Sequence, residues 1–169
     1  GDVRAVWDAG RQGDHKAGQT GLLTADFFRE EYQLNRQIQT FPKPYVALID
    51  GITMGSGVGL SVHGMVRLAT ERTLFAMPET AIGLFPDVGG SYFLPRCPGR
   101  IGFYFGLTGA RIRAADCLYA GIATHHVPSG ALGQLVDALR AGSSGAVTDI
   151  VARFATPPGE GSLERDRAA

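Results

Sequence analysis

A short apolar run, a glycine-rich turn and the start of a helix follow one another in a single segment of the chain. The segment reads Tyr45-Val46-Ala47-Leu48-Ile49-Asp50-Gly51-Ile52-Thr53-Met54-Gly55-Ser56-Gly57. A continuous apolar run of this length is typical of a strand buried on both faces. Glycines at a strand-to-helix turn let backbone N–H groups face an anion at the helix N-terminus. The segment therefore predicts either a phosphate or oxyanion site or a tight turn that serves packing alone.

Strand and helix patterns alternate on both sides of this turn. Apolar spacing predicts a helix from about Thr24 to just before Pro42, and a second helix that runs from the turn to about His63. The remaining strand candidates are Met65–Thr70, Thr73–Met77 and Ile122–Val127, and the remaining helix candidates are Ile101–Leu107, Ala114–Tyr119 and Ala131–Arg140. This alternation predicts an α/β layered fold. We expect a core in residues 1–140 and a flexible or truncated C-terminal segment in residues 141–169, where glycine, proline and serine cluster.

Composition excludes several classes of function. The chain has 169 residues, of which 44% are hydrophobic and 19% charged, and 16 basic residues balance 16 acidic ones. Zero net charge argues against nucleic-acid binding, and the longest apolar runs are too short to span a membrane. Two cysteines without metal-ligand spacing indicate a reducing compartment and no metal site. Because residue 1 is glycine, we expect the chain to be part of a longer protein.

Three acidic residues are candidates for chemistry. Glu79 and Asp87 lie in an apolar stretch punctuated by proline and glycine, and carboxylates in a low-dielectric site can act as bases or nucleophiles. The alternative is structural: Asp87 would cap a helix that begins near Val88, and Glu79 would lie at a helix N-terminus. Glu31 falls on the apolar stripe of the first helix, either at its edge with the carboxylate in water or paired in a site.

Ser61 and His63 follow a glycine in a pattern close to that of a nucleophile elbow. The final glycine of that pattern is absent, and residues two apart on a helix do not face each other. A catalytic Ser–His pair is not expected.

Longer stretches resemble the crotonase (enoyl-CoA hydratase/isomerase) superfamily. The resemblance runs from Phe27 to about Val127, and it is most specific in Phe27–Tyr32, Lys43–Ile49 and Phe75–Gly90. These three stretches are similar to the branch whose members hydrolyse 3-hydroxyisobutyryl-CoA. The resemblance implies a crotonase-like (ClpP/crotonase) β/α spiral of ββα units, here an incomplete copy that lacks its N-terminal strands.

The resemblance also implies roles for individual residues. The two backbone N–H groups of the family's oxyanion hole fall on Gly1 and Ser56, although many relatives have glycine at the second position. The catalytic carboxylates fall on Glu79 and Asp87, and the substrate-contacting glutamate falls on Glu31. Ser56, Glu79 and Asp87 would also contact the substrate.

One further position argues against hydration of a double bond. Hydratases of this superfamily use two glutamates, one of which would fall on Gly59. Glycine cannot hold or activate a water molecule, whereas thioester hydrolysis needs only one carboxylate and an oxyanion hole because the CoA thiolate leaves readily.

The implied function is hydrolysis of 3-hydroxyisobutyryl-CoA or a similar short 3-hydroxyacyl-CoA, as in valine degradation. The alternatives are an enoyl-CoA hydratase/isomerase-type enzyme with a single glutamate base, and a non-catalytic remnant that binds CoA. The expected partner is an acyl-CoA, with CoA as part of the substrate and no separate cofactor, metal, nucleic acid or membrane. A homo-oligomer is possible, and the implied location is the bacterial cytoplasm or the mitochondrial matrix.

Overall fold

The computed structural model of the chain describes residues 3–11, 23–142 and 147–163. The α-helices of these residues are α1 (Val3–Arg11), α2 (Leu23–Gln39), α3 (Ser56–Ser61), α4 (Gly90–Phe93), α5 (Ile101–Thr108), α6 (Ala114–Tyr119), α7 (Leu132–Ala141) and α8 (Val147–Phe154). Short 3-10 helices cover Glu79–Ile82, Leu94–Arg96 and Ser129–Ala131. The strands are β1 (Val46–Ile49), β2 (Ile52–Met54), β3 (Val66–Ala69), β4 (Leu74–Ala76) and β5 (His125–His126).

The strands form two parallel sheets. One sheet has the order β1-β3-β5, with Val46 opposite Val66 and Leu68 opposite His125. The other consists of β2 and β4, with Ile52 opposite Leu74. The pairs β1–β2 and β3–β4 each contribute one strand to each sheet before a helical segment follows. The ββα unit that the family resemblance implies is therefore present twice in the described residues.

The chain changes sheets at two equivalent corners, which are joined by side-chain hydrogen bonds. Gly51 turns the first corner with φ 157°. At the second corner, the hydroxyl of Thr70 donates to the carboxylate of Asp50 at 2.7 Å, and the hydroxyl of Thr73 donates to the carbonyl of Ile49. Thr70 and Thr73 are fully buried, so these bonds satisfy polar groups that would otherwise destabilise the corner.

The core has two parts, one on each side of the three-stranded sheet. The larger part lies among β4, α3, α5 and α6 and includes Val58, Phe75, Met77, Phe105 and Cys117. The smaller part lies among β3, α7 and α8 and includes Val66, Leu68, Leu135, Ile150 and Val151. Full burial of side chains of this size contributes about 1.5–3 kcal/mol each relative to exposure.

Some local predictions differ from the structure. The strand β1 is not buried on both faces: it lies at the edge of its sheet and Leu48 is exposed. On α2 the buried residues are Asn35 and Ile38, whereas Leu34 is exposed although apolar spacing predicts that it packs against the core. Helix α8 lies within the segment predicted to be flexible or truncated, and it packs because Val147, Ile150, Val151 and Phe154 recur at helical spacing and contact the smaller part of the core. No helix in the described part of the chain is long and apolar enough to cross a membrane.

Candidate active site

The candidate carboxylates and the glycine-rich turn line one cavity of about 480 Å³. Four parts of the fold contribute to its wall: α1, α2, the turn between β2 and α3, and the segment from Pro78 to Asp87. The lining residues are Val6, Phe27, Phe28, Glu31, Met54, Gly55, Ser56, Gly57, Pro78, Glu79, Ala81, Ile82, Leu84 and Asp87. Most of this wall is apolar, and its polar groups are the three acidic side chains and the turn, so the cavity suits an organic ligand that carries one polar reacting group.

The turn at the start of α3 lines the cavity with Gly55, Ser56 and Gly57. Gly55 precedes α3 with φ 51°, a conformation that favours glycine, and Ser56 is the first helical residue. The first N–H groups of a helix have no acceptor within it, so the amides of Ser56 and Gly57 are available to a ligand. A Cβ atom at Gly55 would lie 3.5 Å from Oε1 of Glu79, which places that carboxylate beside the turn.

Glu79 is a buried carboxylate without full hydrogen bonding. It opens the 3-10 helix after β4, only 5% of its surface is exposed, and its Oε2 atom has no hydrogen-bond partner. Burial raises the pKa of Glu79 above its ordinary value of 4.5; its own backbone N–H opposes this effect, and the charge of Asp87 adds to it. A desolvated carboxylate of this kind is a stronger base and nucleophile than one in water.

Asp87 is buried and held by a tyrosine. The hydroxyl of Tyr32 donates to its Oδ2 atom at 3.3 Å. Burial raises the pKa of Asp87, and the charge of Glu31 raises it further, while the Tyr32 bond opposes both effects. Burial and the neighbouring Asp87 raise the pKa of Tyr32 to about 12, so the phenol stays a donor at neutral pH.

The helix-cap alternative for Asp87 is wrong. Helix α4 begins at Gly90 and its N-cap is Gly89, with no side-chain hydrogen bond at the cap. Only the backbone carbonyl of Asp87 takes part, accepting from the N–H of Gly90 at 2.6 Å. The carboxylate of Asp87 therefore does not cap α4, and it lines the cavity.

Glu31 is half-buried and lines the same cavity from α2. Its side chain lies close enough for its charge to raise the pKa of Asp87. The structure thus brings together Glu31, Ser56, Glu79 and Asp87, which are four of the five site residues that the sequence predicts. The fifth, Gly1, lies outside the described residues.

The space next to Gly59 is closed. A Cβ atom at this position would lie 2.7 Å from Nδ2 of Asn35 and 2.8 Å from Cβ of Val88. Both distances are shorter than real Cβ contacts, so no side chain fits without displacing a neighbour. The family resemblance indicates that glycine replaces a glutamate at this position. It does not indicate that Asn35 and Val88 occupy the space, because nothing in their local sequence pattern shows that α2 and the Asp87 loop meet there.

Comparison with known proteins identifies the family and the fold of the chain. A family model described as enoyl-CoA hydratase/isomerase matches residues 1–168. A curated relative from Xenopus tropicalis, named 3-hydroxyisobutyryl-CoA hydrolase, mitochondrial, is 67% identical over 129 residues, which are 76% of this chain and 32% of that protein. The Homo sapiens protein of the same name is 51% identical over 168 residues, which are 99% of this chain and 42% of that protein. The chain therefore spans less than half the length of these relatives.

Solved structures of two similar proteins have the same fold. A carnitinyl-CoA dehydratase from Mycobacterium thermoresistibile superposes with a TM-score of 0.87 at 39% identity, covering 99% of this chain and 46% of that one. An enoyl-CoA hydratase from Rhodobacter sphaeroides superposes with a TM-score of 0.81 at 42% identity, again over 99% of this chain and 46% of that one. The arrangement of two parallel sheets and surrounding helices is thus the fold of a carnitinyl-CoA dehydratase and of an enoyl-CoA hydratase.

Proposed function

The chain belongs to the enoyl-CoA hydratase/isomerase family, and from this premise we propose that it hydrolyses the thioester of 3-hydroxyisobutyryl-CoA or of a similar short 3-hydroxyacyl-CoA. The observation that carries the proposal is a buried carboxylate, Glu79, beside the strand-to-helix turn at which α3 begins. Relatives named as hydrolases of this thioester support the choice of substrate. CoA enters as part of the substrate, and no further cofactor is proposed.

The N–H of Ser56 is the proposed oxyanion donor. It would hydrogen-bond the thioester oxygen as negative charge develops there, and such a donor contributes roughly 3–4 kcal/mol to stabilising the transition state. The serine side chain does not prevent this role, because the donor is the backbone. The proposed second donor is the N–H of Gly1, by the family resemblance.

Glu79 is the proposed catalytic carboxylate. It attacks the thioester carbon to form a mixed anhydride with release of the CoA thiolate, or it takes a proton from a water molecule that attacks instead. Single-turnover hydrolysis in oxygen-18 water tests the anhydride route. Label in Glu79 would show that an anhydride formed and that water attacked its enzyme carboxyl. Label only in the product acid contradicts that sequence of steps, because the water oxygen then entered at the acyl carbon.

Asp87 and Glu31 are proposed to orient the reacting groups. Asp87 lies on the cavity wall with its carboxylate anchored by Tyr32, so it can accept a hydrogen bond from the attacking water or from the 3-hydroxyl of the substrate. Glu31 lines the same wall and would accept from that hydroxyl. The single proton of the 3-hydroxyl can be donated to one of these two carboxylates at a time, whereas an unsubstituted acyl group donates to neither.

Hydration of an enoyl-CoA is not proposed, because it needs a second carboxylate where Asn35 and Val88 close the space beside Gly59. The decisive experiment compares two reactions of the full-length protein: thiol release from 3-hydroxyisobutyryl-CoA and water addition to crotonyl-CoA. Thiol release without hydration supports the proposal. Efficient hydration of crotonyl-CoA, or the absence of thiol release, would refute it.

A cellular location and an oligomeric state are proposed alongside the activity. The curated relatives carry the word mitochondrial in their names, which supports a mitochondrial location if the source is eukaryotic; a cytoplasmic location is proposed if the source is bacterial. A homo-oligomer is proposed by the family resemblance, and light scattering of the purified protein measures it directly.

A further inference from the structure

Val88 has a backbone conformation that a β-branched residue seldom adopts. Its φ is 42°, and it is the one non-glycine residue with positive φ in the described part of the chain. Its side chain is almost completely buried. A valine in the left-handed region persists only when the surrounding structure holds it there. Because Val88 directly follows Asp87, whatever holds Val88 also sets the direction of the Asp87 carboxylate.

His63 contacts the backbone at this point. Its Nε2 atom lies 2.7 Å from the carbonyl oxygen of Val88, 25 residues away in sequence. A carbonyl oxygen only accepts, so Nε2 carries the hydrogen and donates it. The imidazole also lies edge-on to Phe93, with ring centroids 6.3 Å apart and an interplanar angle of 76°. The ring is therefore fixed by a packing contact as well as by its hydrogen bond.

The absence of a side chain at Gly89 leaves room for the imidazole of His63 to reach the carbonyl of Val88. A Cβ atom at this position would lie 2.6 Å from Cε1 of His63, and Gly89 itself has φ 86°. Any side chain here would push the ring away from the carbonyl of Val88. The close approach of His63 thus depends on a glycine directly after the strained residue.

His63 connects the segment that contains Ser56 with the loop that contains Asp87. It follows the end of α3, the helix whose first residue is Ser56, and it bonds to the loop that carries Asp87. We propose that His63 is a positioning residue, whose Nε2–H bond to Val88 holds the strained peptide and thereby keeps the Asp87 carboxylate in the cavity that Ser56 also lines. This inference rests on the proposed thioesterase function.

Two variants of the full-length protein separate the hydrogen bond from simple packing. His63→Leu removes the donor, and His63→Gln retains an N–H donor near the position of Nε2. We expect His63→Leu to lower kcat for thiol release roughly 10- to 100-fold with little change in KM, and His63→Gln to restore most of the loss. If His63 acts through Asp87, the double variant with Asp87→Asn is no slower than Asp87→Asn alone.

Ser61→Ala is the matched control. It removes the buried hydroxyl at the end of α3, which donates to the carbonyls of Gly57 and Val58 and not to the Asp87 loop. We expect it to affect stability but to leave kcat nearly unchanged. Full activity in His63→Leu, a loss of kcat in Ser61→Ala equal to that in His63→Leu, or additive losses in the double variant would each overturn the inference.

A readout independent of turnover distinguishes failure of the inference from failure of the proposed function. In protein labelled with carboxyl-13C aspartate, Asp87→Asn identifies the Asp87 signal. The groups facing Asp87 are Tyr32 and Glu31 from α2 and Glu79 from the neighbouring 3-10 helix. We expect the titration midpoint of Asp87 to fall in His63→Leu as the carboxylate reaches solvent. An unchanged midpoint overturns the inference even if the wild type hydrolyses the thioester, and absence of thiol release from the wild type refutes only the function.

Discussion

At the scale of single residues, burial of Glu79 lowers the stability of the fold when its carboxyl is ionised. The pKa of Glu79 is raised by burial and then by the charge of Asp87, so the folded state disfavours ionisation. A carboxyl with a raised pKa costs no stability below its ordinary value of 4.5 and lowers stability as pH rises through its folded pKa. The carboxylate that the chemistry requires is thus maintained at the expense of folding free energy.

Glu79→Gln removes this charge and is expected to stabilise the fold at neutral pH by about 0.5–2 kcal/mol. The gain should vanish below the ordinary glutamate pKa of 4.5, where the wild-type side chain is also neutral. Thermal unfolding at neutral and at acidic pH measures the gain in stability and its disappearance. The control is Glu30→Gln, which makes the same change on an exposed side chain of α2 and should alter the unfolding midpoint little at either pH. A gain that is equal at both pH values would contradict the account.

The closed space beside Gly59 gives a second prediction at this scale. Gly59→Glu restores the residue type of the two-glutamate hydratases, but its side chain meets Asn35 and Val88. We expect destabilisation of at least about 1–3 kcal/mol from overpacking and no measurable hydration of crotonyl-CoA. Denaturant unfolding and the hydration assay test the two parts. Hydratase activity in this single variant would show that the space is not closed.

At the scale of elements, α5 lies against the 3-10 helix Leu94–Arg96 at a distance that only glycine permits. A Cβ atom at Gly102 would lie 1.7 Å from the carbonyl oxygen of Leu94. By contrast, a Cβ atom at Gly133 in α7 would meet nothing within 4 Å. Two chemically identical substitutions therefore have opposite expected effects.

Gly102→Ala should destabilise the fold by about 1–3 kcal/mol, because the two helices must separate. Gly133→Ala should stabilise it by about 0.4–1 kcal/mol, because alanine has less conformational freedom in the unfolded chain. Denaturant midpoints of the two variants measure the difference. Equal midpoints would mean that α5 does not pack in this way.

The elements also show which features a sequence can predict. Alternating strand and helix patterns predicted α6 at its observed bounds and α5 within one residue, because their periodicity and flanking glycine and arginine residues are local signals. The strand predicted at Ile122–Val127 contains only His125 and His126. Before it, the N–H groups of Ile122 and Ala123 both bond to the carbonyl of Cys117 and turn the chain, a contact with no local signal.

In the site, too, some residues carry a local sequence signal and others are set by tertiary contacts. Glu31, Glu79 and Asp87 could be found because charged residues within apolar stretches are conspicuous. The roles of Asn35 and Val88 depend on how α2 packs against the Asp87 loop, and Val88 adopts φ 42° against its intrinsic preference. Such residues are set by tertiary contacts, so they become visible only in the fold.

At the scale of the whole molecule, the described residues build one cavity from four separate segments of chain, so ligand binding should stabilise the fold as a unit. We expect free CoA at millimolar concentration to raise the unfolding midpoint of the full-length protein, since a ligand at 100 times its Kd adds about 2.7 kcal/mol. Adenosine without the pantetheine arm is the control and should shift the midpoint less. No shift with CoA would contradict binding of CoA in this cavity.

The central claim is that Glu79, next to the amide of Ser56, cleaves the thioester. The most direct measurement is the rate of thiol release from 3-hydroxyisobutyryl-CoA by full-length wild type and Glu79→Gln, with thermal unfolding to establish that both are folded. The account predicts that the variant is at least as stable and loses activity by a factor of about 100 or more. A folded variant that retains more than about a tenth of the wild-type kcat would contradict it.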